Sequence, residues 1–178
     1  MGLFGLGWGS DQAAAKARFA ELTPLEAHPH VLVYALDGIA ETLWRENAFC
    51  PTAIGGAPAR EEATLFLNYL DAGLVAAFVR FGYSFEVIGQ SPDTLSDMAM
   101  AAIARAELQQ LVFEMSSRHG APVLFTESPM RSGKWHPVGA AMFDAGESGL
   151  IHLSFGHDGG GLIGELRYQA RIGDRSGF

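Results

Sequence analysis

The chain has 178 residues, 48% of them apolar and 11% aromatic, with a formal net charge of −8. That length and apolar content exclude a disordered chain and allow one domain with a proper core. The acidity excludes phosphate-backbone recognition as the default, because lysine occurs only at Lys16 and Lys134 and the arginines are scattered.

The first ten residues form an apolar arm, with Leu3, Phe4, Leu6 and Trp8 spaced by glycines. No positive charge precedes them and the stretch is too short for a secretory core. Apolar side chains on such an arm dock on the same domain, a second subunit or a membrane surface. With no basic residue near it, membrane-surface contact is the lesser reading. Deleting residues 1–9 is expected to change assembly and leave the thermal midpoint nearly unchanged.

Residues 11–178 read as a single α+β domain. Ser10 or Asp11 caps an alanine-rich helix that ends at Thr23-Pro24. Leu32, Leu36, Ile39, Ala40 and Leu43 recur on one face of a second helix. Residues 47–58 read as a loop. A third helix is predicted from Pro58 through Phe81, apolar all round and therefore central. Tyr83–Ile88 reads as a short strand or as the frayed end of that helix. Ser91-Pro92-Asp93-Thr94 starts a fourth helix, which runs to His119 with Gly120 closing it. Leu95, Met98, Ala99, Ile103, Ala106, Leu111, Val112 and Met115 are its expected buried side.

Glycine then becomes dense: there are 6 between Asp11 and His119 and 12 from Gly120 onward. The hydrophobic period also changes to two. Val123–Thr126, Trp135–Phe143, Ile151–Phe155 and Glu165–Ile172 read as four strands of an antiparallel meander. The expected fold is thus two-layer: about four N-terminal helices (11–119) packed on a C-terminal antiparallel sheet of about four strands (121–172).

No set of residues announces a chemistry. Cys50 is the only cysteine, so there is no intrachain disulfide or thiolate zinc cluster, and its apolar context reads as an inert thiol. His28-Pro29-His30 reads as a loop before a helix. The glycine runs at 2–7 and 159–161 lack the strand-then-helix context of a phosphate loop. There is no Gly-x-Ser-x-Gly elbow. His152 and His157 are five apart, which puts them on opposite faces of a regular strand unless Gly156 bulges. No metal site and no cofactor are therefore expected.

The longest polar loop beside the sheet, Ser128–Pro137, carries Arg131, Lys134, Trp135 and His136. Its ordinary reading is a hairpin loop with the Trp folded onto the core. Two functional readings follow. The first is a non-catalytic, cytoplasmic interaction or accessory module, homo-oligomeric, that binds itself or another protein and no nucleic acid. It rests on the apolar arm (Leu3, Phe4, Leu6, Trp8) and on the missing catalytic set. The second is a small-molecule-binding protein or enzyme. Its pocket would lie between sheet and helices, edged by Arg131, Lys134, Trp135, His136, His152 and His157. A stretch such as Ala63–Val79, with Asn68 and Asp71 near its middle, falls short of a bilayer span.

Overall fold

The computed structural model describes residues 5–36, 62–71, 73–84, 91–127 and 136–171. Helix α1 spans Gln12–Arg18 and helix α2 Asp97–His119. Strands β1 (Thr23–His28), β2 (Val31–Ala35), β3 (Glu62–Leu70) and β4 (Gly73–Ser84) lie between them. Strands β5 (Leu124–Thr126), β6 (His136–Asp144), β7 (Leu150–His157) and β8 (Gly161–Gln169) follow α2. All eight strands form one antiparallel sheet in the order β1-β2-β3-β4-β8-β7-β6-β5.

This corrects the expectation of four helices on a four-stranded sheet. Two α-helices, not four, occur among the described residues, and the sheet is twice as wide. The predicted second helix begins as strand β2, and its remainder lies outside the described residues. The predicted third helix is the β3–β4 hairpin, in which Leu70 pairs with Gly73. The cause is an ambiguity of period. Ala63, Leu65, Leu67 and Tyr69 are buried on one face and Thr64, Phe66 and Asn68 are half-buried on the other. A strand that is apolar on both sides also satisfies a helix that is apolar all round. The local signal that decides between them is at Asp71, whose φ of 51° suits a tight turn and not a helix.

Elsewhere local chemistry and structure agree. The Asp11 side chain accepts a hydrogen bond from Ala14 N at 2.8 Å and starts α1. Ser96, not Ser91, caps α2, accepting from Ala99 N at 3.2 Å, and Pro92–Thr94 is a 3-10 turn ahead of it. Gly120 closes α2 with φ 78°, as a helix-terminal glycine should. The buried stripe of α2 is Met100, Ala104, Leu108, Leu111 and Met115, so Met98 is on the outside, at 82% exposure.

Both helices cover the same face of the sheet. Phe19, one residue past α1, meets Tyr34 of β2 with ring centroids 5.5 Å apart, and His119 of α2 meets Phe143 of β6 at 6.4 Å. One continuous core joins them, from Leu6, Phe19 and Leu32 through Phe81 and Leu166 to Leu108, Phe143 and Leu153. Among the described residues the two halves of the chain repeat one plan, a helix followed by a four-strand meander, and they join where β4 pairs with β8. This repetition is of topology, with no matching repeat in the sequence. No helix among the described residues is long and apolar enough to cross a membrane.

Candidate functional site

The face of the sheet away from the helices carries the most organised side-chain pattern. Strand pairing aligns one residue from each strand into a transverse row: Glu26, Val33, Phe66, Phe78, Arg167, His152, Met142 and Leu124. Alternation forces this, because the neighbours of each row member along β3, β4, β6, β7 and β8 are buried on the helix side. Phe66 and Phe78 stack with centroids 4.3 Å apart and planes 8° from parallel. The Arg167 guanidinium lies 5.5 Å from the Phe78 ring centre, a cation–π contact of about 0.5–1 kcal/mol at an exposed site.

Charge on this face is mixed: among the described residues Arg80, Arg167 and Arg171 share it with Glu26, Glu165 and Asp144. In the adjoining row Glu165 lies between two arginines, 3.6 Å from Arg80 and 3.9 Å from Arg167. Both arginines are exposed and Glu165 is half-buried, so these pairs organise the surface more than they stabilise it. His152 is half-buried on this face. Burial holds its pKa below the ordinary value, Arg167 lowers it further, and Glu165 partly offsets both. At the end of the face Arg171 pairs with Asp144 and, with the Gly146 amide, depresses that carboxyl's pKa.

The second arrangement is on the helix side. His136 and His157 are cross-strand partners whose rings stack at 5.0 Å and 23°. His157 is 3% exposed, and its Nδ1 has no hydrogen-bond partner among the described residues. Burial first, then His136, lowers its pKa, while Asp97 at the start of α2 and Asp158 act in the opposite sense. Gly156 makes the close approach possible. A Cβ there would meet the His136 carbonyl oxygen and lie 2.7 Å from Pro137 Cα, so the β6 and β7 backbones touch where the imidazoles sit.

Of the six residues expected to edge a pocket, His136 and His157 come together. His152 is on the opposite face, as its odd spacing from His157 implies. Arg131, Lys134 and Trp135 lie outside the described residues. In the arm, Leu3 and Phe4 also lie outside them, while Leu6 is in the core and Trp8 packs against it. Among the described residues no group of three or more His, Cys, Asp or Glu is placed to hold a metal ion.

Two residues escaped the sequence reading. Glu107 is a buried carboxylate on α2. Its signal was present, since it follows Ala104 by three and precedes Leu111 by four, on the core stripe. Tyr69 is buried with its pKa pushed up to about 12 by burial, with Tyr34 and Asp11 adding to the shift. Only the β3 assignment reveals that Tyr69 points inward.

Comparison with protein-family models, with curated proteins and with solved structures finds no match to this chain.

Proposed function

We propose that this protein is a non-catalytic interaction module that receives a segment of another protein on the open face of its sheet. The supporting observation is the part of the transverse row from β3 to β5 in sheet order, with stacked Phe66 and Phe78, then Arg167 and His152, then Met142 and Leu124; Val33 beyond Phe66 is buried. A broad pleated surface of apolar rings and cations suits a protein segment better than a small molecule, which needs a concavity to bury most of its surface. Beside the stacked rings Arg80 and Arg167 outnumber Glu165, while Glu26 and Asp144 stand toward the two ends of the face. The fitting partner therefore carries apolar side chains flanked by carboxylates.

The test is site-specific photo-crosslinking in the source cells. A photoreactive residue replacing Phe66 should trap a defined partner, and one replacing exposed Ala13 on α1 should not. Arg167→Glu should reduce the trapped yield severalfold. Equal trapping from both positions, or a yield indifferent to Arg167→Glu, overturns the proposal.

A further inference from the structure

The two edges of the sheet are built in opposite ways. Edge strands expose unpaired backbone groups, and proteins blunt them with proline, charge or bulges. Strand β1 has all three: Pro24, the Glu26–His28 pair at 2.8 Å, and a register shift between Pro24 and Glu26. Strand β5 has none. It reads Leu124-Phe125-Thr126, preceded by Val123, and all four side chains are exposed. Among the described residues it pairs only with β6.

The exposed apolar surface gathers at the same place. Seven large apolar side chains are exposed among the described residues. Leu25, Leu70 and Met98 stand singly, while Val123, Leu124 and Phe125 are on this edge. The seventh, Phe113, is 72% exposed on α2. Gln109 Nε2 donates to Glu127 Oε1 at 2.8 Å, which fixes the flank of α2 that looks toward β5. Phe113 is one turn beyond Gln109, about 6 Å along the helix, and Phe125 is two residues back from Glu127, about 7 Å along the strand. The chain reverses direction between α2 and β5, so these displacements run the same way and bring Phe113 level with Phe125.

We propose that β5 is a self-pairing edge through which two copies of this chain join antiparallel across a two-fold axis, with Phe113 of each copy covering the joint. The interface meets the open sheet face only at Leu124, the end of the row, and does not depend on the partner proposed for that face. The strand is self-complementary in one register. Cross-strand partners share a face, so a two-fold pairs residues of equal parity. With Leu124 opposite the partner's Leu124, Val123 meets the partner's Phe125 on the helix side, beside Phe113. The pairs within Val123–Phe125 are then all apolar, Thr126 falls opposite Pro122 of the second copy at the margin, and the sheet continues through both copies as 16 strands.

Sedimentation velocity and engineered cysteines test this on the full chain. The wild type should sediment at twice the mass of one chain at micromolar concentration. Phe125→Lys with Phe113→Ser should give a monomer whose far-UV dichroism and melting cooperativity match the wild type. In a Cys50→Ser background, oxidation should cross-link Leu124→Cys between copies, because residues directly opposite lie 4.5–5.5 Å apart at Cα, within disulfide reach. Thr126→Cys should not cross-link, since this register sets the two copies of residue 126 four strand residues apart, about 13 Å. Leu25→Cys on the β1 edge should also fail. A monomeric wild type, or cross-linking through Thr126→Cys or Leu25→Cys in preference to Leu124→Cys, overturns the proposal. So does a double variant that remains dimeric.

Discussion

His157 shows how burial on a strand end makes a side chain sensitive to pH. Its neutral form is favoured in the folded protein by burial and by His136, so its folded pKa is below the ordinary value of about 6.5. His119 and His152 are shifted the same way, each chiefly by burial. Below pH 6.5 the unfolded chain therefore binds protons that the folded chain resists, and stability falls as the pH falls. The loss begins near 6.5 and levels off below the lowered folded values. His157→Gln removes one titrating group from the folded core. Its urea midpoint should change less between pH 7.5 and pH 5 than that of the wild type. Parallel pH dependence in the two proteins would show that His157 is not the group responsible.

At the scale of elements, the N-terminal arm is the instructive case. Its glycines and apolar side chains read as a segment separate from the domain, yet residues 5–10 belong to the body. Leu6 is 5% exposed within the core. Gly9 N donates to Leu74 O at 2.8 Å, and Leu74 N donates to Ser10 O at 2.9 Å, which ties the arm to the start of β4. Gly73 packs so closely that a Cβ on it would lie 3.1 Å from Gly9 Cα. This reverses the expectation that the arm is dispensable for stability. Leu6→Ala should cost about 2 kcal/mol, the lower end for a buried leucine because a site at the domain margin can relax. In a chain of this length that lowers the thermal midpoint by roughly 4–8 °C. An unchanged midpoint would place Leu6 outside the cooperative core.

For the whole molecule, the critical seam is where the two helix-plus-meander halves meet. Phe81 of β4 pairs with Gly164 of β8, and its ring also lies 6.1 Å from that of Phe155. Phe81 occupies the space a side chain at 164 would need, since a Cβ there would meet Phe81 Cζ and lie 2.8 Å from Phe155 Cδ2. Both rings are buried, so neither swings into solvent. Gly164→Ala is therefore expected to cost about 1–3 kcal/mol through overpacking. A calorimetric scan should still show one transition, at a lower temperature, because a single core spans both halves. Two resolved transitions would mean that the halves unfold separately.

The sequence by itself determined whatever is local. The cap at Ser10 or Asp11 (the structure uses Asp11), the glycine stop after His119, the turns around Asp144 and Asp158 and the alternation of β6 to β8 are all set within a few residues. Each depends on a backbone group meeting a nearby side chain, or on strict alternation where one face is wet. The tertiary structure decided the rest. Residues 62–84 carry apolar side chains on both faces, and only pairing with β2 and β8 makes them strands. The open face exists only because strands distant in sequence align Phe66, Phe78, Arg167 and Met142 in one row. Likewise His136 and His157 meet only through the β6–β7 register, and Gln109 of α2 reaches Glu127 beyond β5 only because the chain folds back between them. Long-range pairing is not written in any short window of a chain. It is selected by burying the greatest apolar area with every strand but the edges hydrogen-bonded on both sides.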